Sequence, residues 1–210
     1  MKRGKFITIE GPDGAGKTSV IQTLAKRLKE EGLTQDLLLT REPGGSPIAE
    51  AIREVLLNVD HDEMDIRTEA LLFAASRRQH LQETVIPAID RGTWVLCDRF
   101  VDSSLAYQGV ARGLSVEAVW AINEFAIEGM LPDLTLIIDV PAEVGLSRIH
   151  QGRSVDEINR LDKESIDFHQ TVRQAFLDLA KDHPRMRVID GTQPLEQVVE
   201  DCLDVIRALP

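Results

Sequence analysis

The sequence predicts an α/β fold: one doubly wound, five-stranded parallel sheet flanked by helices, carrying a short lid. Three observations support this. Short apolar, β-branched segments alternate with longer segments of helical periodicity. The strand segments are apolar on both faces, as in a parallel sheet covered on each side. No repeat, low-complexity stretch or linker interrupts the pattern, so residues 1–210 read as a single domain.

The elements follow in order. Phe6–Glu10 alternates and is β-branched, which predicts the first strand. After a glycine-rich turn, Lys17–Glu31 carries Val20, Ile21, Leu24, Ala25 and Leu28 at helical spacing, and Gly32 stops it. Leu37–Thr40 predicts a second strand, and the Pro and glycines of Arg41–Gly45 require a loop. Helical patterns span Ile48–Leu57 and Thr68–Asp90, the latter with Pro87 as a source of a kink. Trp94–Cys97 predicts a strand ending at Asp98. Val116–Glu128 reads as a helix, and Leu134–Val140 as a buried strand. A helix from Ala142 to about His150 leads into the polar stretch Gln151–Asn159. A long helix from about Leu161 to Asp182, a strand at Arg187–Ile189 and a helix at Leu195–Leu209 complete the chain.

Composition narrows the function. The apolar share of 43% and charged share of 28% are ordinary for a globular protein. No apolar run approaches the roughly 20 residues that cross a bilayer, and the basic start is followed by too few apolar residues for a signal peptide. A cytoplasmic protein without membrane partners is expected. The net charge of −11 argues against non-specific nucleic-acid binding. Cys97 and Cys202 lack metal-ligand spacing and read as packing residues, and the five histidines show no paired spacing.

Gly11-Pro12-Asp13-Gly14-Ala15-Gly16-Lys17-Thr18 fits GxxxxGK[ST] between a predicted strand and a predicted helix, the context that supports such a match. Its glycines let backbone N–H groups turn inward around phosphate oxygens, and the helix N-terminus adds partial positive charge. Lys17 is placed to reach the β- and γ-phosphates, and Thr18 to hold Mg²⁺. Such a loop defines nucleotide binding, and ATPases, GTPases, switches and small-molecule kinases share it.

Asp98 stands at the carboxyl end of a strand, where open α/β sheets bind ligands. It can orient Mg²⁺ directly or through water; the alternative is a helix cap. Arg99 follows it, suited to an acceptor phosphate, and Arg41 lies just past the second strand. Phe73 and Arg77 project from one helix face. Either Phe73 stacks on a base while Arg77 bonds its edge, or Phe73 is core and Arg77 a solvated charge. Arg148, Arg153 and Arg160 bracket the polar segment, which is either a lid at about residues 148–160 or an ordinary surface loop.

Taken together these residues resemble the bacterial thymidylate kinases, of the phosphate-loop nucleoside-monophosphate kinases, over nearly the whole chain. The matching stretches are Glu10–Thr18, Thr40–Gly45, Leu71–Ala75 with Arg77, Gln79 and His80, Asp98–Phe100 through Ser103–Gly109, Pro132–Thr135 and Asp139–Pro141. The resemblance implies ATP as donor, dTMP as acceptor, Mg²⁺ and a homodimer. It also implies residue roles. ATP would lie against Gly11 to Ser19, with Arg148 and Gln193 bordering adenine. Phe73 would stack on thymine, Arg77 would bond its edge, and Ser104 and Gln108 would contact the base. Tyr107 would sit beneath the deoxyribose, and Asp13 would approach its 3′-hydroxyl or the metal region. Arg41 and Arg99 would hold the acceptor phosphate.

Lys17, Arg99 and the lid arginines Arg148, Arg153 and Arg160 would act on the transferred group. Gly14 within the loop matches the members that supply the catalytic arginine from the lid, and Arg153 is the favoured finger. Ser76 and Arg78 depart from the common Asp and Ala of the family, and the usual lid Asp-Arg-Ile-Glu stands as Asn159-Arg160-Leu161-Asp162.

Overall fold

Phe6, Ile7 and Ile9 are each at most 1% exposed, because β1 (Phe6–Glu10) is the middle of the sheet. The computed structural model describes residues 3–152, 161 and 164–209. β1 pairs in parallel with β3 (Trp94–Asp98) on one side and β4 (Leu134–Asp139) on the other. β2 (Leu37–Arg41) and β5 (Met186–Asp190) form the edges, giving the order β2-β3-β1-β4-β5. This is the expected five-stranded parallel α/β sheet. The register sets Ile9 beside Asp98 and Arg41 beside Asp98, so the carboxyl ends of three strands share one rim. The chain leaves β1 for β2 and β3 on one side and β4 and β5 on the other, and such a reversal opens a crevice at that rim.

Alternation along β1 divides the core. Ile7 and Ile9 face α1 (Lys17–Glu30) and α9 (Leu195–Arg207), packing with Leu24, Leu28, Val199 and Leu203. Phe6 faces the other layer, with Leu81, Val85, Ile89, Val95 and Phe100. Cys97 and Cys202 are buried in these layers as free thiols. Burial pushes both thiols up, Cys202 to about 12. The end of α1 shows why Gly32 stops it. Gly32 is left-handed (φ 68°), the Gly32 N–H donates to Lys29, and the Leu33 N–H donates to Leu28.

Three expectations are corrected. The Thr68–Asp90 helix begins earlier, because Asp65 accepts from the N–H groups of Arg67 and Thr68 at 3.0 Å. It is also not one α-helix: α3 (Ile66–His80) passes through a π turn (Leu81–Val85) into α4 (Ile86–Asp90). Pro87 has no N–H and would crowd the carbonyl four residues back; the wider turn relieves that clash. The long helix expected from Leu161 starts at Ile166 as α8 (Ile166–Asp182), because Ser165 Oγ caps the Phe168 N–H. Finally, α5 (Val101–Ser104) and a second π turn (Leu105–Ala111) were not foreseen. They are buried nearly all round, so the sequence carries no amphipathic stripe there. α2 (Pro47–Leu57), α6 (Val116–Ile127) and α7 (Ala142–Gly152) fall close to expectation.

Candidate active site

The loop between β1 and α1 is shaped by what glycine omits. A Cβ on Gly11 (φ 131°) would lie 2.3 Å from the Ile138 carbonyl oxygen, and one on Gly14 2.0 Å from that of Gly145. A Cβ on Gly145 would in turn meet the Asp13 carbonyl at 2.4 Å. The loop backbone therefore rests directly on the first turns of α7, a contact that the sequence reading missed at Gly145. Inside the loop, Lys17 Nζ donates to the carbonyls of Gly11 (3.1 Å) and Pro12 (2.8 Å). Burial and the nearby Arg99 guanidinium lower its pKa to about 8.

The turn after β3 is held from several sides. Arg99 is a non-glycine residue in left-handed backbone (φ 67°), a conformation that costs about 1–2 kcal/mol. Its amide donates to the Ile9 carbonyl at 2.9 Å. Its guanidinium reaches Asp13 Oδ1 (2.6 Å), the Gly11 carbonyl (3.1 Å), Ser103 Oγ (3.0 Å) and the Tyr107 hydroxyl (3.2 Å). Tyr107 OH donates to the other oxygen of Asp13 at 2.6 Å. Burial alone would raise the Asp13 carboxyl, but Arg99, Lys17 and Tyr107 hold it down at about 2.

Glu10, which ends the first strand and falls within a stretch that matches the family, underlies this turn. Its carboxylate accepts from the N–H groups of Phe100 (2.7 Å) and Ser103 (3.3 Å) and from Ser103 Oγ (2.5 Å). Burial and the Asp102 charge raise its pKa to about 7. Asp98 Oδ1 is buried and has no hydrogen-bond partner among the described residues.

Arg77 is not a solvated charge: it is 2% exposed. Nε donates to Glu42 at 2.8 Å, Nη1 to Ser104 at 3.0 Å and also to Asn123, and Nη2 to the Phe100 carbonyl at 2.9 Å. A guanidinium carries five N–H groups. Four point at the protein, which leaves one for a ligand. Glu42 also accepts from His80 Nδ1 at 2.9 Å. Arg41 pairs with Glu50 at 2.7 Å at the mouth. Ser76, where the family resemblance fails, ties α3 to the neighbouring turn by accepting from the Gly44 N–H at 3.1 Å.

One cavity of about 600 Å³ gathers most of the expected residues: Asp13, Gly14, Gly16, Lys17, Thr18, Ser19, Arg41, Phe73, Arg77, Asp98, Arg99, Ser104, Tyr107, Gln108 and Arg148. Gly11, Pro12 and Ala15 lie behind this lining. Arg53, Ser103 and Leu57 line it without having been singled out. Arg53 donates to the Pro43 carbonyl at 2.9 Å; it sits on an amphipathic helix where an Arg carries no signal of its own. Arg148 Nη2 reaches the Gly191 carbonyl at 3.2 Å, joining the loop of Gln193 to the site. Gln193 itself turns away, donating to Asp201 at 2.9 Å. Arg153 and Arg160 lie outside the described residues. Among the described residues, no helix is long and apolar enough to cross a membrane, and no cluster of His, Cys, Asp or Glu could hold a metal alone.

A phosphate loop on a parallel sheet, opening into a cavity lined by arginines and aromatic residues, defines the class of phosphate-loop kinases. Comparison with known proteins narrows this. A family model described as thymidylate kinase matches residues 9–202. The thymidylate kinase of Latilactobacillus sakei subsp. sakei (strain 23K) is 56% identical over 97% of this chain and 94% of its own. That of Halalkalibacterium halodurans is 54% identical over 99% of this chain and 98% of its own. A crystal structure of thymidylate kinase from Ehrlichia chaffeensis superposes with a TM-score of 0.77 at 32% identity, covering 98% and 99% of the two chains. The chain belongs to the thymidylate kinase family.

Proposed function

We propose that this protein transfers the γ-phosphoryl group of ATP to dTMP, giving dTDP and ADP, in the route to dTTP. The observation that carries this reading is the single cavity joining Lys17 and the phosphate loop to Phe73, Arg77, Ser104, Tyr107 and Gln108. ATP would occupy the loop, with Arg148 and the Gly191–Gln193 turn beside adenine. The acceptor would place its base against Phe73 and its phosphate between Arg41 and Arg99. Tyr107, fixed by Asp13 and Arg99, would lie under the sugar and leave little room for a 2′-hydroxyl.

Transfer asks for position and charge rather than covalent catalysis. An acceptor phosphate oxygen attacks the γ-phosphorus in line; the bond to the bridging oxygen breaks, and ADP leaves with that electron pair. The attacking oxygen is already ionised at neutral pH, so no general base is needed. Lys17 and the lid arginines, Arg153 foremost, would stabilise the charge on the transferred group. Thr18 and Asp98 fit a Mg²⁺ site, directly or through water, since Asp98 presents a buried oxygen without a partner among the described residues. The ion would supply charge neutralisation on the ATP phosphates.

The chain is read as one kinase domain, residues 1–210, with a lid at about 148–160, working in the cytoplasm where both nucleotides are found. It is also read as a homodimer. Ile48, Leu71 and Phe125 are 55%, 56% and 87% exposed on α2, α3 and α6, and α3 packs against both α2 and α6. A solution mass of one chain by light scattering would remove the dimer. The acceptor is tested by ADP formation from Mg·ATP with dTMP, dUMP, UMP, AMP or no acceptor. Strong preference for dTMP is expected. Preference for another monophosphate would keep a kinase and discard the base pocket. Hydrolysis indifferent to acceptor would leave a nucleotide-driven switch.

A further inference from the structure

Gln108 lines the cavity beside Phe73, Arg77 and Ser104. A primary amide can present a base with either its NH₂ donors or its carbonyl acceptor, and which one depends on how it is turned. Here the orientation is set from behind. Gln108 Nε2 donates to Glu69 Oε1 at 2.9 Å, and Glu69 is 1% exposed. The same oxygen accepts from Arg112 Nε at 3.4 Å. Arg112 is itself anchored by Glu164 at 2.7 Å and by the Phe168 ring, 5.0 Å from its guanidinium carbon.

A carboxylate beside a guanidinium has acceptors only. Reversing the Gln108 amide would set its carbonyl against a carboxylate oxygen where both side chains are buried, which leaves two buried acceptors facing each other. The Gln108 carbonyl oxygen has no partner among the described residues, so it is the atom left for a ligand. Arg77 has one N–H free and Ser104 already accepts from it. A fixed acceptor on Gln108 is therefore a main source of polarity selection at this end of the cavity.

We propose that Glu69 is a specificity-determining positioning residue. By holding the Gln108 nitrogen, it fixes an acceptor that favours a pyrimidine with a ring N–H, as in thymine and uracil. It disfavours cytosine, whose ring nitrogen at that place is itself an acceptor. This rests on the dTMP reading and adds to it a residue that touches no substrate. The selection would follow from pairing alone, since meeting the wrong base leaves a buried acceptor unpaired.

The test is the ratio of kcat/KM for dTMP over dCMP in the wild type, E69Q, Q108L and the double variant E69Q/Q108L. Glutamine at 69 offers both a donor and an acceptor, so it no longer dictates the amide. In E69Q the ratio is expected to fall at least about tenfold. In the Q108L background the same change is expected to leave the ratio unmoved, because Glu69 acts only through that amide. If E69Q alone does not fold, E69Q/R112M, which leaves no guanidinium facing a neutral partner, takes its place in the comparison. An E69Q ratio equal to wild type, or an equal fall with and without Gln108, would overturn the role of Glu69 alone. A wild type inactive on dTMP would overturn the acceptor assignment beneath it.

Discussion

Lys17→Met is expected to lower turnover about 10³-fold while leaving the protein folded. The side chain is buried, and among the described residues its ammonium donates only to the Gly11 and Pro12 carbonyls. Its pKa of about 8 records burial and the repulsion of Arg99. In the ligand-free fold this charge is therefore poorly stabilised, and methionine fills much the same space without it. The melting temperature should be unchanged or slightly higher. ATP phosphates would reverse the balance, because anionic oxygens replace neutral carbonyls as partners of the ammonium. The loss should then appear in kcat, where charge on the transferred group is greatest, more than in the KM for ATP. Steady-state kinetics with a thermal melt on the same sample checks this. Near-normal turnover in a folded variant would remove Lys17 from the mechanism.

Much of this site could be read before the fold was known, and the reason differs between residues. The phosphate loop is local: its glycines, Lys17 and Thr18 are contiguous, and each residue type follows from backbone geometry around an anion. Most helices were legible because burial of one face imposes a period, and the strands because they are short apolar, β-branched runs between turns. The α5 segment and its π turn were not, since an element buried on all sides loses the polar face that makes a helix visible. Glu10, Glu42 and Glu69 share another difficulty. Each is an acid whose meaning depends on donors far along the chain: Phe100 and Ser103, Arg77 and His80, Gln108 and Arg112. A carboxylate in a strand or helix reads as solvated until topology supplies those partners. Arg77 was ambiguous for the same reason, and packing decided it.

Arg77→Met is expected to destabilise the protein by about 3–5 kcal/mol, since removing one partner leaves a buried charge uncompensated. Glu42 is 4% exposed and, among the described residues, would keep only His80 as a close partner. Ser104, Asn123 and the Phe100 carbonyl would lose their shared donor as well. These groups lie on the loop after β2, on α5 and on α6, so one guanidinium joins three separate segments to α3. For a chain of this size the melting temperature should drop by on the order of 10 °C. Lysine should not rescue it, because a single ammonium cannot serve acceptors in four directions. Glu42→Gln placed on top of Arg77→Met should recover part of the loss, since the stranded charge is then gone. Denaturant unfolding of the wild type, both single variants and the pair measures that coupling. If Arg77→Met melted like the wild type, neither the Glu42 contact nor the other bonds of the guanidinium, its approach to the Phe100 ring included, would add net stability. If the pair were no more stable than Arg77→Met alone, the cost would lie with the uncapped hydroxyl, amide and carbonyl rather than with the buried acid.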